Sequence, residues 1–193
     1  MNTTSAAFFE AKYQAVPDPW DFAHDAYELA RYDAIVEALQ GQRYARAFEP
    51  GCSVGVLTER LAATCDAVDA CDFSATAAAQ ARARCAALPN VHVCTAALTG
   101  REDWKRYDLV VLSEIGYYFT DADWLEMVDT MVGRMQHGTT LLAAHWLGHS
   151  DDHILSGDCV HAILETNKRL VPVDAQRLGE GEQGFRLNLW RRA

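Results

Sequence analysis

Apolar positions change period several times along the chain, and each change marks an element. Residues 5–14 carry apolar side chains at helical spacing, and Val16-Pro17-Asp18-Pro19 stops them, since proline fixes φ and pushes the preceding residue into extended backbone. Trp20 and Phe22 follow. Asp25 with Glu28 three positions on has the form of a capping box. Leu29, Tyr32, Ile35, Val36 and Leu39 then recur with helical period until Gly41 supplies a stop. Beyond that point short apolar runs alternate with helical segments. The pattern predicts extended chain over 45–48, helix over 57–63, strand over 67–71, helix over 75–88 with Ser74 as its cap, and strand over 91–94. The continuous apolar run Leu109 to Leu112 predicts a strand covered on both faces, followed by a helix over 123–135 and a strand from Thr140 to His145. A helix over 158–167 precedes two late strands, 170–173 and 185–189, separated by the glycine-rich turn 179–184.

Strands alternating with helices indicate βαβ units and a parallel sheet. The expected fold is α/β: a Rossmann-like, seven-stranded, mostly parallel sheet with helices on both faces and an antiparallel C-terminal hairpin. A length of 193 residues suits one such domain and not two. We expect residues 1–24 to form an N-terminal helix and lid segment, and 25–193 the core.

Charge narrows the partners. Seventeen Lys and Arg against 27 Asp and Glu leave a net charge of −10, which disfavours a phosphate backbone, so no nucleic-acid partner is expected. The apolar runs are far short of the roughly 20 residues that cross a bilayer, and no membrane association is expected. The first ten residues lack a basic stretch ahead of an apolar one, which reads as a cytoplasmic protein. Six cysteines without a C-x-x-C pair read as reduced, mostly buried thiols.

Candidate chemistry starts at Glu49-Pro50-Gly51-Cys52-Ser53-Val54-Gly55, between the first strand and the helix after it. In an open parallel sheet ligands bind outside the carboxyl ends of the strands, and small residues there allow backbone N–H groups to approach them. The spacing is Gly-x-Ser-x-Gly, neither the dinucleotide fingerprint nor a Walker loop; a plain tight turn is the other reading. Cys71-Asp72-Phe73-Ser74 adds an acid at the end of the second strand, where a carboxylate can accept both hydroxyl hydrogens of a ribose. Together the two features point to an adenosine-containing cofactor. Asp69 lies earlier, inside the strand, and is the weaker candidate.

On these residues the sequence resembles the class I S-adenosylmethionine-dependent methyltransferases, with Glu49 to Gly55 as their first motif and Asp72 as the ribose-binding acid. It is similar more narrowly to the nodulation protein S family of amino-sugar N-methyltransferases. Asp18-Pro19-Trp20, Tyr27-Glu28 with Arg31-Tyr32, Leu112-Ser113-Glu114 with Tyr117-Tyr118, His145-Trp146, and Gly157-Asp158 with Val160-His161 carry that likeness. Ser53 stands where the generic family has Gly, Leu29-Ala30 replaces basic residues, and His153 replaces a usual Tyr. The resemblance implies S-adenosyl-L-methionine as cofactor and S-adenosyl-L-homocysteine as product. It implies cofactor contacts from Glu49, Gly51, Cys52, Ser53, Gly55, Asp72, Phe73, Ser74, Ala97, Leu98, Ser113 and Glu114. It further implies an N-terminal lid, with Trp20 over the cofactor and Arg31 on the cofactor carboxylate; without the resemblance Trp20 reads as a core staple.

For the acceptor, Glu114 could hydrogen-bond an amine or cap the following turn, while Tyr117 and Tyr118 could pack on a sugar ring or belong to the core. His145 is the first choice of base if one is needed, and equally reads as a buried core histidine. Trp146, Asp158 and His161 complete the acceptor side, with Asp158 orienting His161 or pairing with it on the helix surface. His145, His149 and His153 would align only on a helix, which Gly148 opposes, so no metal is expected. The expected activity is N-methylation of an amine on a sugar or other small molecule by a monomer or homodimer. O- or carboxyl methylation, and cofactor binding without catalysis, are the alternatives.

Overall fold

A computed structural model describes residues 5–193. Its seven strands run in the order β3-β2-β1-β4-β5-β7-β6, which is the expected sheet. Contacts divide the chain into two compact units, Met1–Ala97 and Leu98–Ala193.

The first unit holds α1 (Ala6–Ala15), α2 (Ala26–Ala38), β1 (Ala47–Pro50), α3 (Val56–Leu61), β2 (Val68–Asp72), α4 (Ala75–Arg84) and β3 (Val91–Thr95). β1 pairs with β2 and β2 with β3, both parallel, with Ala47 opposite Val68 and Val68 opposite Val91. β1 and β2 are buried throughout even though they carry Glu49, Asp69 and Asp72. Asp25 caps α2 by accepting the N–H groups of Tyr27 and Glu28, whereas the Glu28 carboxylate pairs with Arg31 in place of closing a capping box. The buried face of α4 is made of Ala77, Ala78 and Ala81. Side chains this small let the backbone after β1 come close: a Cβ at Gly55 would lie 2.9 Å from both Cα and Cβ of Ala81. α4 ends at Arg84 rather than 88, because the residue ahead of Pro89 is steered away from helical backbone.

The second unit holds β4 (Leu109–Ser113), α5 (Asp121–Arg134), β5 (Thr140–Trp146), α6 (Gly157–Thr166), β6 (Leu170–Leu178) and β7 (Phe185–Arg192). β4 and β5 are parallel, and β7 runs antiparallel to both β5 and β6. α5 buries Trp124, Val128, Met131 and Val132 along one stripe, and Trp124 donates its indole N–H to the Val160 carbonyl at 3.2 Å. That bond and the stripe fix α6, whose buried face is Val160, His161 and Leu164. β6 is the exposed outer strand, with a register shift at Pro172/Asp174 where proline cannot donate to the ladder. Among the described residues no helix is long and apolar enough to cross a membrane.

Gly55 meets two demands at once, a φ of +82° and the close approach to Ala81. Gly55→Ala is therefore expected to destabilise the protein by about 2–4 kcal/mol, combining left-handed strain with overpacking. A urea-unfolding midpoint equal to the parent's would contradict this.

Candidate functional site

The loop after β1 is wound by three left-handed residues, Gly51 (φ +71°), Ser53 (φ +50°) and Gly55 (φ +82°). Ser53 is the costly one, since a side chain in this region is disfavoured by roughly 1–2 kcal/mol. Two hydrogen bonds hold it there. Its N–H donates to Asp72 Oδ2 at 3.0 Å, and its hydroxyl accepts the Tyr13 phenol at 2.6 Å. The other Asp72 oxygen accepts the Ser74 N–H at 2.9 Å. One carboxylate at the end of β2 thus ties the loop after β1 to the start of α4. Each of its oxygens has one backbone donor and retains acceptor capacity for a hydroxyl. Burial raises the Asp72 pKa to about 6, against the lowering effect of the two N–H groups, so the group is ionised at neutral pH.

Glu49 lies beneath this loop. Its carboxyl is almost fully buried and accepts the Thr58 hydroxyl at 2.6 Å, joining β1 to α3. Burial, reinforced by Asp72, pushes its pKa up to about 8. Cys52 turns inward, into the apolar cluster of Ala70, Ala78, Ala81 and Val93. Ser74 caps α4 by accepting the Ala77 N–H and donates its own hydroxyl to Glu10. Of the expected cofactor residues, the structure thus gives Glu49, Cys52, Gly55 and Ser74 supporting positions. It brings Gly51, Ser53, Asp72 and Phe73 together at the strand ends. Ala97 is exposed and Leu98 half-buried beyond β3, while Ser113 is buried at the end of β4. Asp69, the weaker acid, is engaged by Arg46 in a two-pronged pair at 2.8 Å.

α1 rests on the same two loops. Glu10 accepts the hydroxyls of Ser74 (2.7 Å) and Thr76 (2.6 Å) and the Thr76 N–H, and these bonds hold its pKa down to about 2. Phe9 packs against Phe73 with ring centroids 5.3 Å apart. Trp20 stacks on Phe9 and Phe22 and meets Tyr13 edge-on, with the Lys12 ammonium 4.9 Å from its ring. The N-terminal segment is therefore an aromatic cluster anchored by Glu10 and Tyr13, two residues that sequence reasoning missed. Phe9 and Tyr13, one turn apart on α1, were the available signal; Glu10 gave none, because its partners are remote in sequence. Arg31 is fully buried, with its guanidinium on Glu28 and 5.2 Å from the Tyr32 ring.

In the second unit, Glu114 follows β4 with φ +58°. Its carboxylate accepts the Tyr117 hydroxyl and, at 2.8 Å, the Trp146 N–H, while its own N–H reaches the Ala144 carbonyl at 3.0 Å. Tyr117 is fully buried and stacks on His153 at 4.1 Å, with Tyr118 edge-on to both rings. The Tyr117 carbonyl accepts the N–H groups of Ile154 and Leu155, which fixes the 150–155 loop against this turn. Burial, with Asp152 and Glu114 nearby, pushes the Tyr118 phenol well above its ordinary range. His153 and Asp152 are further side chains here that the sequence reading did not assign.

His145 is buried among these groups. Its Nε2 accepts the Gly116 N–H at 3.2 Å, and its Nδ1 faces His161 Nε2 at 3.1 Å. Both ring nitrogens are engaged within the protein, so the expected role as a base does not follow from its placement. His161 is held by His145 and not by Asp158, whose carboxylate goes to Arg177 at 2.8 Å. Burial, then Arg186 and Arg177, push the His161 pKa down to about 3. The imidazole is neutral. Among the described residues no three or more His, Cys, Asp or Glu side chains converge as a metal site.

The raised Glu49 pKa has a thermodynamic consequence. Between the ordinary glutamate value of 4.5 and about 8 the folded protein keeps a proton that the unfolded chain has lost. Stability should therefore fall with rising pH across that window, by about 1.4 kcal/mol per pH unit. Glu49→Gln, which keeps an acceptor for Thr58, is expected to remove this one-proton slope, its advantage over the parent growing with pH and levelling off above the folded pKa. Parallel stability-versus-pH curves for parent and variant would contradict the buried, protonated state.

Comparison with known proteins bears on this arrangement. The family model for nodulation protein S matches residues 7–184. The nodulation protein S of Bradyrhizobium diazoefficiens is 30% identical over 109 residues, 56% of this chain and 52% of that protein. That of Azorhizobium caulinodans is 24% identical over 176 residues, 86% of this chain and 82% of the relative. The match thus spans about half the length of the Bradyrhizobium protein and most of the Azorhizobium one. The crystal structure of the N-methyltransferase NodS from Bradyrhizobium japonicum WM9, in complex with S-adenosyl-L-homocysteine, superposes with a TM-score of 0.83 at 21% identity, covering 97% of this chain and 98% of that one. That likeness shows the shared fold, and the family match extends over nearly the whole sequence. The chain belongs to the nodulation protein S family.

Proposed function

We propose that this protein transfers a methyl group from S-adenosyl-L-methionine to an amine of a small acceptor, an amino sugar or oligosaccharide. The observation that carries the reading is Asp72, a buried, ionised carboxylate whose two oxygens each hold one backbone N–H and retain room for a hydroxyl. A ribose offers two adjacent hydroxyls, which suits that geometry. The solved relative carries S-adenosyl-L-homocysteine, the product such a reaction leaves.

When bound, the cofactor supplies an electrophilic methyl on a sulfonium. The chain contributes the rest. Asp72 accepts the ribose hydroxyls, and the left-handed Gly51 lets the loop backbone come close to the nucleoside. Phe9, Phe73 and Trp20 provide apolar ring faces that exclude water. Glu114, ordered by the Tyr117 hydroxyl and the Trp146 N–H, is the carboxylate that accepts an acceptor N–H and orients the nitrogen lone pair. Methyl transfer to a neutral amine needs placement more than a strong base, and placement can supply much of the rate. The net charge of −10 suits an amine and disfavours a nucleic acid.

The direct test is mass-spectrometric detection of a transferred methyl across amino sugars, sugar acids and small amines. Products confined to amines are expected; products on carboxyl or hydroxyl groups would replace the acceptor assignment, and cofactor binding with no product on the panel would make the chain a binding module. Asp72→Ala should weaken S-adenosyl-L-homocysteine binding by the loss of two charge-assisted bonds, each about 1.5–3 kcal/mol. A calorimetric dissociation constant equal to the parent's would remove Asp72 from the site.

A further inference from the structure

The buried histidine pair is unused by the reaction as described, yet its hydrogen bonds run in one direction. A backbone N–H is only ever a donor, so the Gly116 N–H at 3.2 Å requires a lone pair on His145 Nε2. The proton of neutral His145 then sits on Nδ1, and Nδ1–H donates to His161 Nε2 at 3.1 Å. His161 must in turn carry its proton on Nδ1, a buried nitrogen for which the structure provides no hydrogen-bond acceptor. Both rings are fully buried and meet edge-on, with Tyr117 edge-on to His145 and Trp190 beside His161. Protonating His145 would set an Nε2–H against the Gly116 N–H, two donors face to face.

The same helix closes the turn from a second direction. A Cβ at Gly116 would lie 2.4 Å from Val160 Cγ1 and 3.2 Å from His145 Nε2, so α6 presses on this residue through Val160 and reaches it again through His161 and His145. Gly116 lies between Glu114, whose φ is +58°, and Tyr117, whose hydroxyl orders the Glu114 carboxylate. A left-handed glutamate does not hold its position unaided.

We infer that His161 is a positioning residue: acting through a single tautomer of His145, it fixes the Gly116 turn and thereby the Tyr117 hydroxyl that orders the Glu114 carboxylate for the acceptor. The groups around the pair are Tyr117, Asn188 and Trp190, with the guanidiniums of Arg186 and Arg177 beyond. The assignment of the acceptor rests on the function proposed above, whereas the tautomer does not.

Two measurements test it. In the 15N imidazole spectrum of the intact protein at neutral pH, His145 should show a protonated Nδ1 and a bare Nε2. A protonated Nε2 would overturn the relay. His161→Leu, which removes the acceptor for Nδ1–H, should lower kcat roughly 10- to 100-fold and leave S-adenosyl-L-homocysteine affinity within about twofold. His161→Gln, whose amide oxygen can accept that proton, should recover most of kcat. Leu and Gln variants that both keep the parent's kcat would show that the pair only fills the core. Should no acceptor be methylated, the reaction assignment fails, and the imidazole spectrum alone decides the relay.

Discussion

The first unit depends on one buried carboxylate. Asp72 sits where β2 ends, and without donors its charge would be too costly to leave water. Two backbone N–H groups, from Ser53 and Ser74, offset that cost, and in doing so they set the course of two loops. Ser53 is held left-handed, which brings its hydroxyl to Tyr13; Ser74 is held at the start of α4, which brings its hydroxyl to Glu10. Glu10 then stands at the N-terminus of α4, where partial positive charge favours a carboxylate. The placement of α1, the aromatic cluster on it and the shape of the loop all follow from that acid being ionised and buried.

The second unit solves a similar problem with neutral groups. The turn after β4 carries Glu114 in a strained conformation, and the strain is held by a chain of one-way hydrogen bonds from Gly116 through His145 to His161. A neutral imidazole suits a fully buried position: His145 satisfies a donor and an acceptor without carrying charge into the core, while His161 leaves its Nδ1 unpartnered. The Glu114 carboxylate is thus kept half-exposed on a turn supported by the buried Gly116, His145 and His161.

Much of the fold was legible in the chain. Periodicity placed most strands and helices within a few residues, because half-buried helices and doubly covered strands leave clear patterns in the runs at Leu109 to Leu112 and along Trp124 to Val132; β6, an exposed strand, runs to Leu178, well past its expected end at 173, and α4 stops at Arg84 instead of 88. The loop of Gly51 to Gly55 and the acid at Asp72 were legible too, since positive φ selects glycine and strand ends present ligand-facing acids. Side-chain partners were not. Asp158 looked like the neighbour of His161 on a helix, but the β6–β7 hairpin sets Arg177 opposite Arg186, and those like charges draw Asp158 to them. His145 looked like a base because a histidine ends a strand; the Gly116 N–H that takes its lone pair belongs to a different loop. Glu10 offered no local pattern at all.

Asp72 is a buried carboxylate with one backbone donor on each oxygen, and the proposed function has it receive the ribose hydroxyls. Its carboxyl carbon can be followed directly by 13C NMR as pH is varied, with and without S-adenosyl-L-homocysteine. A midpoint near the value of about 6 set by burial is expected in the free protein, moving down when hydroxyls donate to the anion. A midpoint in the ordinary carboxylate range, unmoved by saturating ligand, would contradict it.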